Sequence, residues 1–206
     1  MTLVKICGLT RPEDIAAVNR HRPDYAGFVF AASRRRVSPD RAKALIERLD
    51  RAILPVGVFV DEPAEAVAAI ARHCDLRAVQ LHGGETNETI AALRLLLPPA
   101  VAVIKAVPVR DGASLAAAEQ YDCDLLLDAW AEGAAGGGGR TFDWALLQGF
   151  PKPYLLAGGL DEDNVAEAVR QLQPLGVDVS SGVETNGAKD AEKIGRFIRS
   201  ARGGTR

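Results

Sequence analysis

Aromatic side chains are scarce: Phe, Trp and Tyr make up 5% of the sequence, too few for a platform that stacks nucleic-acid bases. Charge of one sign is lacking as well. The formal net charge is −2, which provides no basic field for a phosphodiester backbone, so no nucleic-acid partner is expected. Cysteine is limited to Cys7, Cys74 and Cys123. The three cannot all pair, they show no C-x-x-C spacing, and no His cluster accompanies them. Neither a disulfide framework nor a zinc site is expected. No run approaches the ~20 apolar residues needed to span a bilayer. The opening Met1-Thr2-Leu3-Val4-Lys5 passes straight into a strand pattern and lacks the basic stretch and apolar run of a signal peptide. These absences lead us to expect a reducing, cytoplasmic setting and no membrane partner.

What is present is a steady alternation. The 206 residues are 48% hydrophobic, enough to build one substantial core, and residues 1–206 read as a single domain. Short β-rich runs are expected at 3–7, 25–30, 54–60, 78–82, 101–106, 125–128, 154–157 and 177–180. Between them lie Ala-rich helical runs at 12–20, 39–49, 63–73, 87–97, 114–120, 143–148, 163–172 and 189–201. Pro12, Pro39 and Pro63 stand near helix starts, where a missing N–H costs little. Parallel strands need crossover helices, and eight strand–helix units favour a closed (β/α)8 TIM barrel over an open doubly wound sheet. Periodicity alone does not separate the two. The G-x-G-x-x-G fingerprint of the open fold is missing after the first strand.

Strand parity gives this reading chemical content. Side chains alternate along a strand, so Lys5 and Cys7 share a face, as do Asp124, Leu126 and Asp128, then Ala78, Gln80 and His82, then Asp178 and Ser180. These sets are expected to face inward, with Val79, Leu81, Val177 and Val179 packing outward on helices. Lys5 and Asp178 would lie on the first and eighth strands and pair inside the ring, because an unpaired buried ammonium is costly.

Cys7 and Asp128 each end a strand. In a closed barrel both would reach one mouth, where a thiol and a carboxyl can act as a base and an acid. A free strand Cys is commonly just a small buried hydrophobe, and a loop Asp commonly caps a turn. Gly8 after Cys7 allows close backbone approach, and burial of Asp128 would favour its protonated form. Cys74 and Cys123 are assigned to packing or surface. Gly158-Gly159 and Ser181-Gly182 follow the seventh and eighth strands, where barrel enzymes often hold a phosphate on backbone N–H groups. The same residues could form only a pair of tight turns. Arg34-Arg35-Arg36 follows the second strand on the same face, and one of the three could fork a substrate carboxylate. The segment 131–139, with Gly136 to Gly139 in a row, is either a tolerated loop or a flap over substrate.

Taken together, these residues resemble the phosphoribosylanthranilate isomerase family of tryptophan biosynthesis, over nearly the whole chain. The resemblance is carried by Lys5-Ile6-Cys7-Gly8-Leu9-Thr10, Gly57-Val58-Phe59-Val60, Val79-Gln80-Leu81-His82-Gly83, Leu125-Leu126-Leu127-Asp128, Phe142-Asp143-Trp144, Ala157-Gly158-Gly159-Leu160 and Asp178-Val179-Ser180-Ser181-Gly182-Val183-Glu184, in that order. It implies an Amadori rearrangement of a small phosphorylated substrate, with Cys7 as general base and Asp128 as general acid. It implies that Arg35 holds the anthranilate carboxylate and that His82 lies near the substrate. It implies no cofactor and no metal. One departure stands out: Gly138 occupies a position where the family commonly has Thr, so a hydroxyl is missing. A related isomerase acting on an aminoimidazole ribotide would carry a carboxylate in place of Cys7. A sensor that only binds phosphate ligands would not need both Cys7 and Asp128. The oligomeric state is not legible, since no apolar seam marks the helix faces.

Overall fold

The structure is a computed structural model in which residues 1–128 and 144–203 are described. The glycine-rich segment 131–139 and the Phe142-Asp143 pair lie outside the described residues.

Eight parallel strands close into a barrel in sequence order. They are β1 (Leu3–Cys7), β2 (Tyr25–Val29), β3 (Leu54–Phe59), β4 (Ala78–Leu81), β5 (Ala102–Pro108), β6 (Asp124–Asp128), β7 (Tyr154–Ala157) and β8 (Gly176–Val179). The ring closes between β1 and β8, with Lys5 opposite Asp178. Seven α-helices are described: α1 (Pro12–His21), α2 (Pro39–Ile46), α3 (Ala64–His73), α4 (Asn87–Leu96), α5 (Gly112–Glu119), α6 (Val165–Leu172) and α7 (Ala191–Ala201). Pro12 and Pro39 take the first helical position as expected, whereas Pro63 caps α3 from outside. Between β6 and β7 the described chain holds a short 3-10 turn, Trp144–Leu147, where the sequence suggests a helix.

Two apolar layers hold the barrel. The larger lies between strands and helices: Val4, Ile6, Val79, Leu81, Leu127 and Val177 from the strands pack with Ile15, Leu45, Val67, Ile90, Ile194 and Phe197 from the helices. The smaller fills the barrel interior with Val56, Ala78, Ile104, Ala106, Leu126, Leu155 and Ala157. Ala78 and Leu126, which parity turns inward, thus belong to an apolar layer that also draws on β3, β5 and β7. The interior is an apolar plug into which Lys5, Gln80 and Asp178 are set. A ring of eight strands has room only for close-packed side chains, so each polar group there needs a partner.

The outward face also breaks its expected apolar pattern once. Lys105 is buried outside β5, and its Nζ donates to Glu85 Oε2 at 3.0 Å and to the carbonyls of Gly83 at 2.7 Å and Ala106 at 3.0 Å. Glu85 in turn accepts from the backbone N–H groups of Asp61 at 2.9 Å and Gly83 at 2.8 Å. This pair ties down the β4–α4 loop, which begins at His82. Burial alone would push the Glu85 carboxyl up, but these hydrogen bonds and the ammonium hold it below its ordinary value.

After β8 the chain makes a 3-10 turn, Ser181–Val183, and then a small hairpin of β9 (Glu184–Thr185) and β10 (Ala188–Lys189). Its turn is Asn186-Gly187, both at positive φ, 52° and 79°, as a two-residue hairpin turn demands. The hairpin places Lys189 opposite Glu184. The sequence reading runs α7 back through Lys189. The helix instead begins at Ala191, where the Asp190 side chain accepts from the N–H groups of Glu192 and Lys193.

Candidate active site

The strand C-termini surround a cavity of about 410 Å³ lined by Cys7, Arg35, His82, Asp128, Gly158, Gly159, Ser181 and Gly182, with Gln80, Asp178 and Ser180. All eight residues singled out from the sequence thus border one space. A larger cavity of about 770 Å³ opens at the opposite end, among the strand starts Leu3, Tyr25, Ala102 and Asp124. It shares none of those eight residues.

Cys7 is 8% exposed at the end of β1. Beneath it, Lys5 is fully buried, and its Nζ lies 2.8 Å from Asp178 Oδ1. The pairing expected across the β1–β8 seam is present. Burial alone would lower the Lys5 pKa, but the Asp178 carboxylate and Cys7 reverse this and raise it, so the amine is a cation in the folded protein. For Cys7 burial comes first and pushes the thiol up, with Asp178 adding to the rise. Lys5 and Lys189 oppose the rise without cancelling it, so the thiol stays above its ordinary value. The cations that bear on the thiol are Lys5 and, from the hairpin after β8, Lys189.

Across the mouth, Asp128 ends β6 with its side chain 23% exposed, so it is half-buried rather than sealed. Its Oδ2 lies 3.6 Å from His82 Nε2, close enough for electrostatic attraction but long for a hydrogen bond. His82 is held from the other side: its Nδ1 lies 2.9 Å from Gln80 Nε2. Gln80 is 1% exposed and its Oε1 has no hydrogen-bond partner among the described residues.

The turns after β7 and β8 meet. Gly158 and Gly159 take positive φ, 95° and 63°, a region that suits glycine. A Cβ on Gly182 would run into the Leu160 carbonyl oxygen, so only glycine lets the two turns touch. On the β2 side, Arg35 Nε and Nη2 donate to Glu184 at 2.7 and 3.1 Å, and the Arg35 side chain crosses directly over Gly8. Lys189 Nζ donates to Glu184 Oε1 at 2.8 Å and to the Ser180 carbonyl at 2.8 Å. Ser180 Oγ donates to the Cys7 carbonyl at 3.1 Å. Lys189 and the roles of Glu184 and Gln80 are absent from the sequence reading. The Asn186-Gly187 hairpin signal would have paired Lys189 with Glu184. Among the described residues, no group of three or more His, Cys, Asp or Glu is placed to hold a metal ion.

A closed parallel barrel with a thiol, a carboxyl and an imidazole around its C-terminal mouth, beside paired glycine turns, has the layout of a (β/α)8-barrel enzyme. The family model described as N-(5'phosphoribosyl)anthranilate (PRA) isomerase matches residues 4–200. The N-(5'-phosphoribosyl)anthranilate isomerase of Acetivibrio thermocellus is 49% identical over 210 residues, covering 98% of this chain and 96% of the relative. The chain belongs to the phosphoribosylanthranilate isomerase family and is an isomerase. The crystal structure of the Thermotoga maritima phosphoribosyl anthranilate isomerase superposes with a TM-score of 0.89 at 38% identity, covering 98% of this chain and all of that one. A second isomerase structure, solved in complex with reduced 1-(o-carboxyphenylamino)-1-deoxyribulose 5-phosphate, superposes with a TM-score of 0.86 at 36% identity, with 98% and 100% coverage.

Proposed function

We propose that this protein converts N-(5-phosphoribosyl)anthranilate to 1-(2-carboxyphenylamino)-1-deoxyribulose 5-phosphate in tryptophan biosynthesis, with Asp128 as general acid and Cys7 as general base. The observation that carries this reading is the convergence of Cys7 and Asp128 on one cavity that also holds Arg35 and the β7 and β8 glycine turns.

In the first step Asp128 gives its proton to the ribose ring oxygen. The bond from C1′ to that oxygen breaks, its electrons go to the oxygen, and the anthranilate nitrogen lone pair forms the C1′ imine cation. In the second step the Cys7 thiolate takes the proton from C2′, and the C2′ electrons move toward the imine nitrogen to give the enolamine. Protonation at C1′ and loss of the C2′ hydroxyl proton give the ketone. Burial holds the Cys7 thiol above its ordinary value, and Lys5 and Lys189 oppose that rise, so they ease formation of the thiolate that this step needs. His82 lies within reach of the carboxylate that Asp128 becomes. Gly158, Gly159, Ser181 and Gly182 hold the phosphate, and Arg35 holds the anthranilate carboxylate. The partner in this reading is a small phosphorylated molecule. We place the reaction in the cytoplasm, in keeping with the lack of any described helix long and apolar enough to cross a membrane.

The test is turnover, followed as loss of phosphoribosylanthranilate fluorescence. Cys7→Ala and Asp128→Ala are each expected to lose most activity, by roughly a hundredfold or more, with an unchanged circular dichroism spectrum. Near-normal turnover in either folded variant removes the role given to that residue.

A further inference from the structure

Three cations converge on one carboxylate at the edge of the mouth. Glu184 Oε1 accepts from Arg35 Nε at 2.7 Å and Lys189 Nζ at 2.8 Å. Its Oε2 accepts from Arg34 Nη2 at 2.6 Å and Arg35 Nη2 at 3.1 Å. The Glu184 side chain is 6% exposed. One carboxylate facing three cations leaves positive charge in excess beside the cavity. The geometry at Arg35 sets where that charge points. A guanidinium is planar and carries its N–H donors in fixed directions. Glu184 occupies the edge formed by Nε and Nη2, and among the described residues Nη1 makes no hydrogen bond. The end formed by Nη1 and the outer N–H of Nη2 is therefore available to fork a second carboxylate without releasing the first. Arg35 borders the same cavity as Cys7. Its stem lies across Gly8, where a Cβ would collide with Arg35 Cδ, so the side chain is guided from below as well.

We propose that Glu184 is a specificity-determining residue: by clamping the inner edge of Arg35 it presents the outer end to a carboxylate on the aromatic ring of the substrate, so that the site selects a carboxylated arylamine over one without that charge. Lys189 anchors the clamp, since its ammonium bridges Glu184 to the Ser180 carbonyl at the end of β8. The inference rests on the proposed contact between Arg35 and the substrate carboxylate.

The experiment compares two substrates, N-(5-phosphoribosyl)anthranilate and N-(5-phosphoribosyl)aniline, which lacks the carboxylate. The wild type is expected to prefer the first in kcat/KM. Glu184→Gln is expected to shrink that preference by roughly tenfold or more, through a higher KM for the carboxylated substrate with kcat less changed and the aniline substrate little affected. If Glu184→Gln does not fold, as judged by thermal unfolding, Glu184→Asp is measured in its place. It keeps a charge facing Lys189 but draws the acceptors back from Arg35, and is expected to shrink the preference as well. An equal loss for both substrates, or an unchanged preference in the folded variant, overturns the inference. Arg35→Gln is measured in parallel. If it loses the preference while the Glu184 variant keeps it, only the role of Glu184 fails. If Arg35→Gln itself keeps the preference, the underlying carboxylate contact fails, and the inference with it.

Discussion

Replacing Lys5 with Met would test how the barrel interior tolerates its polar groups. Met has a similar length and apolar stem, so the change removes charge with little change in volume. Lys5 is fully buried, and among the described residues its only ion-pair partner is Asp178, 2.8 Å away and with its side chain 11% exposed. The substitution leaves that carboxylate beside the Cys7 thiol without its paired ammonium. Breaking a buried pair by removing one partner costs about 3–5 kcal/mol, and the slight exposure of Asp178 points to the lower end. The pKa of Lys5 is raised above its ordinary value of 10.5. The stabilisation is therefore complete below the unfolded-state pKa and is lost only as pH rises through the folded value. Urea unfolding at pH 7 thus reads the whole effect. The expected result is a lower midpoint with an unchanged slope against urea. The double variant Lys5→Met/Asp178→Leu removes both charges and is expected to be more stable than Lys5→Met alone. A loss of less than about 1 kcal/mol in the single variant would mean that the pair does not behave as a buried one. A double variant less stable than the single one would mean the same.

Two further outcomes follow from the mouth. Burial pushes the Glu184 carboxyl up, but hydrogen bonds from Arg35 and Lys189 and their charges bring it down to about 2. A depressed carboxyl stabilises the fold above its unfolded pKa, and that contribution is lost as pH falls from the ordinary value of 4.5 toward 2. The wild type should lose stability over this window in acid denaturation, and Glu184→Gln should flatten that part of the profile. The second outcome concerns Gly182, where an Ala side chain would collide with the Leu160 carbonyl oxygen and force the two turns apart. Gly182→Ala should raise KM, and the inhibition constant of inorganic phosphate with it, by roughly tenfold. Unchanged values for both would remove these turns as the phosphate cradle.

The barrel was legible because each strand is short, apolar and flanked by an Ala-rich run, so local pattern and global topology agree. Lys5 and Asp178 could be paired across 173 residues because parity and ring closure leave them facing each other. The β9–β10 hairpin is harder to read although Asn186-Gly187 signals its turn, because the amphipathic run of α7 extends by pattern back over Lys189. The same hairpin builds the clamp on Arg35, whose acceptor lies 149 residues away on an element shorter than any periodicity can detect. The inward apolar layer is only partly legible, because Val56, Ala106 and Leu155 sit on strands where both faces are buried, which removes the alternation that parity depends on. Lys105 was unreadable for the opposite reason. Its burial is compensated by Glu85 and by carbonyls of a loop whose path sequence does not give. Cys7 and Asp128 rank high in sequence through their motif company, yet the cation that bears on the thiol from the hairpin is a tertiary fact.

The most direct test of the acid–base pair is a crystal structure of this protein with reduced 1-(2-carboxyphenylamino)-1-deoxyribulose 5-phosphate bound. Cys7 Sγ should lie against C2′ of the sugar chain, and Asp128 beside the oxygen released from the ring. The phosphate should rest on the Gly158-Gly159 and Ser181-Gly182 turns, and the aryl carboxylate on the outer end of Arg35. A ligand seated with C2′ beyond reach of the thiol would remove Cys7 as the base, and a phosphate on the Arg35 side would reverse the whole orientation of the substrate.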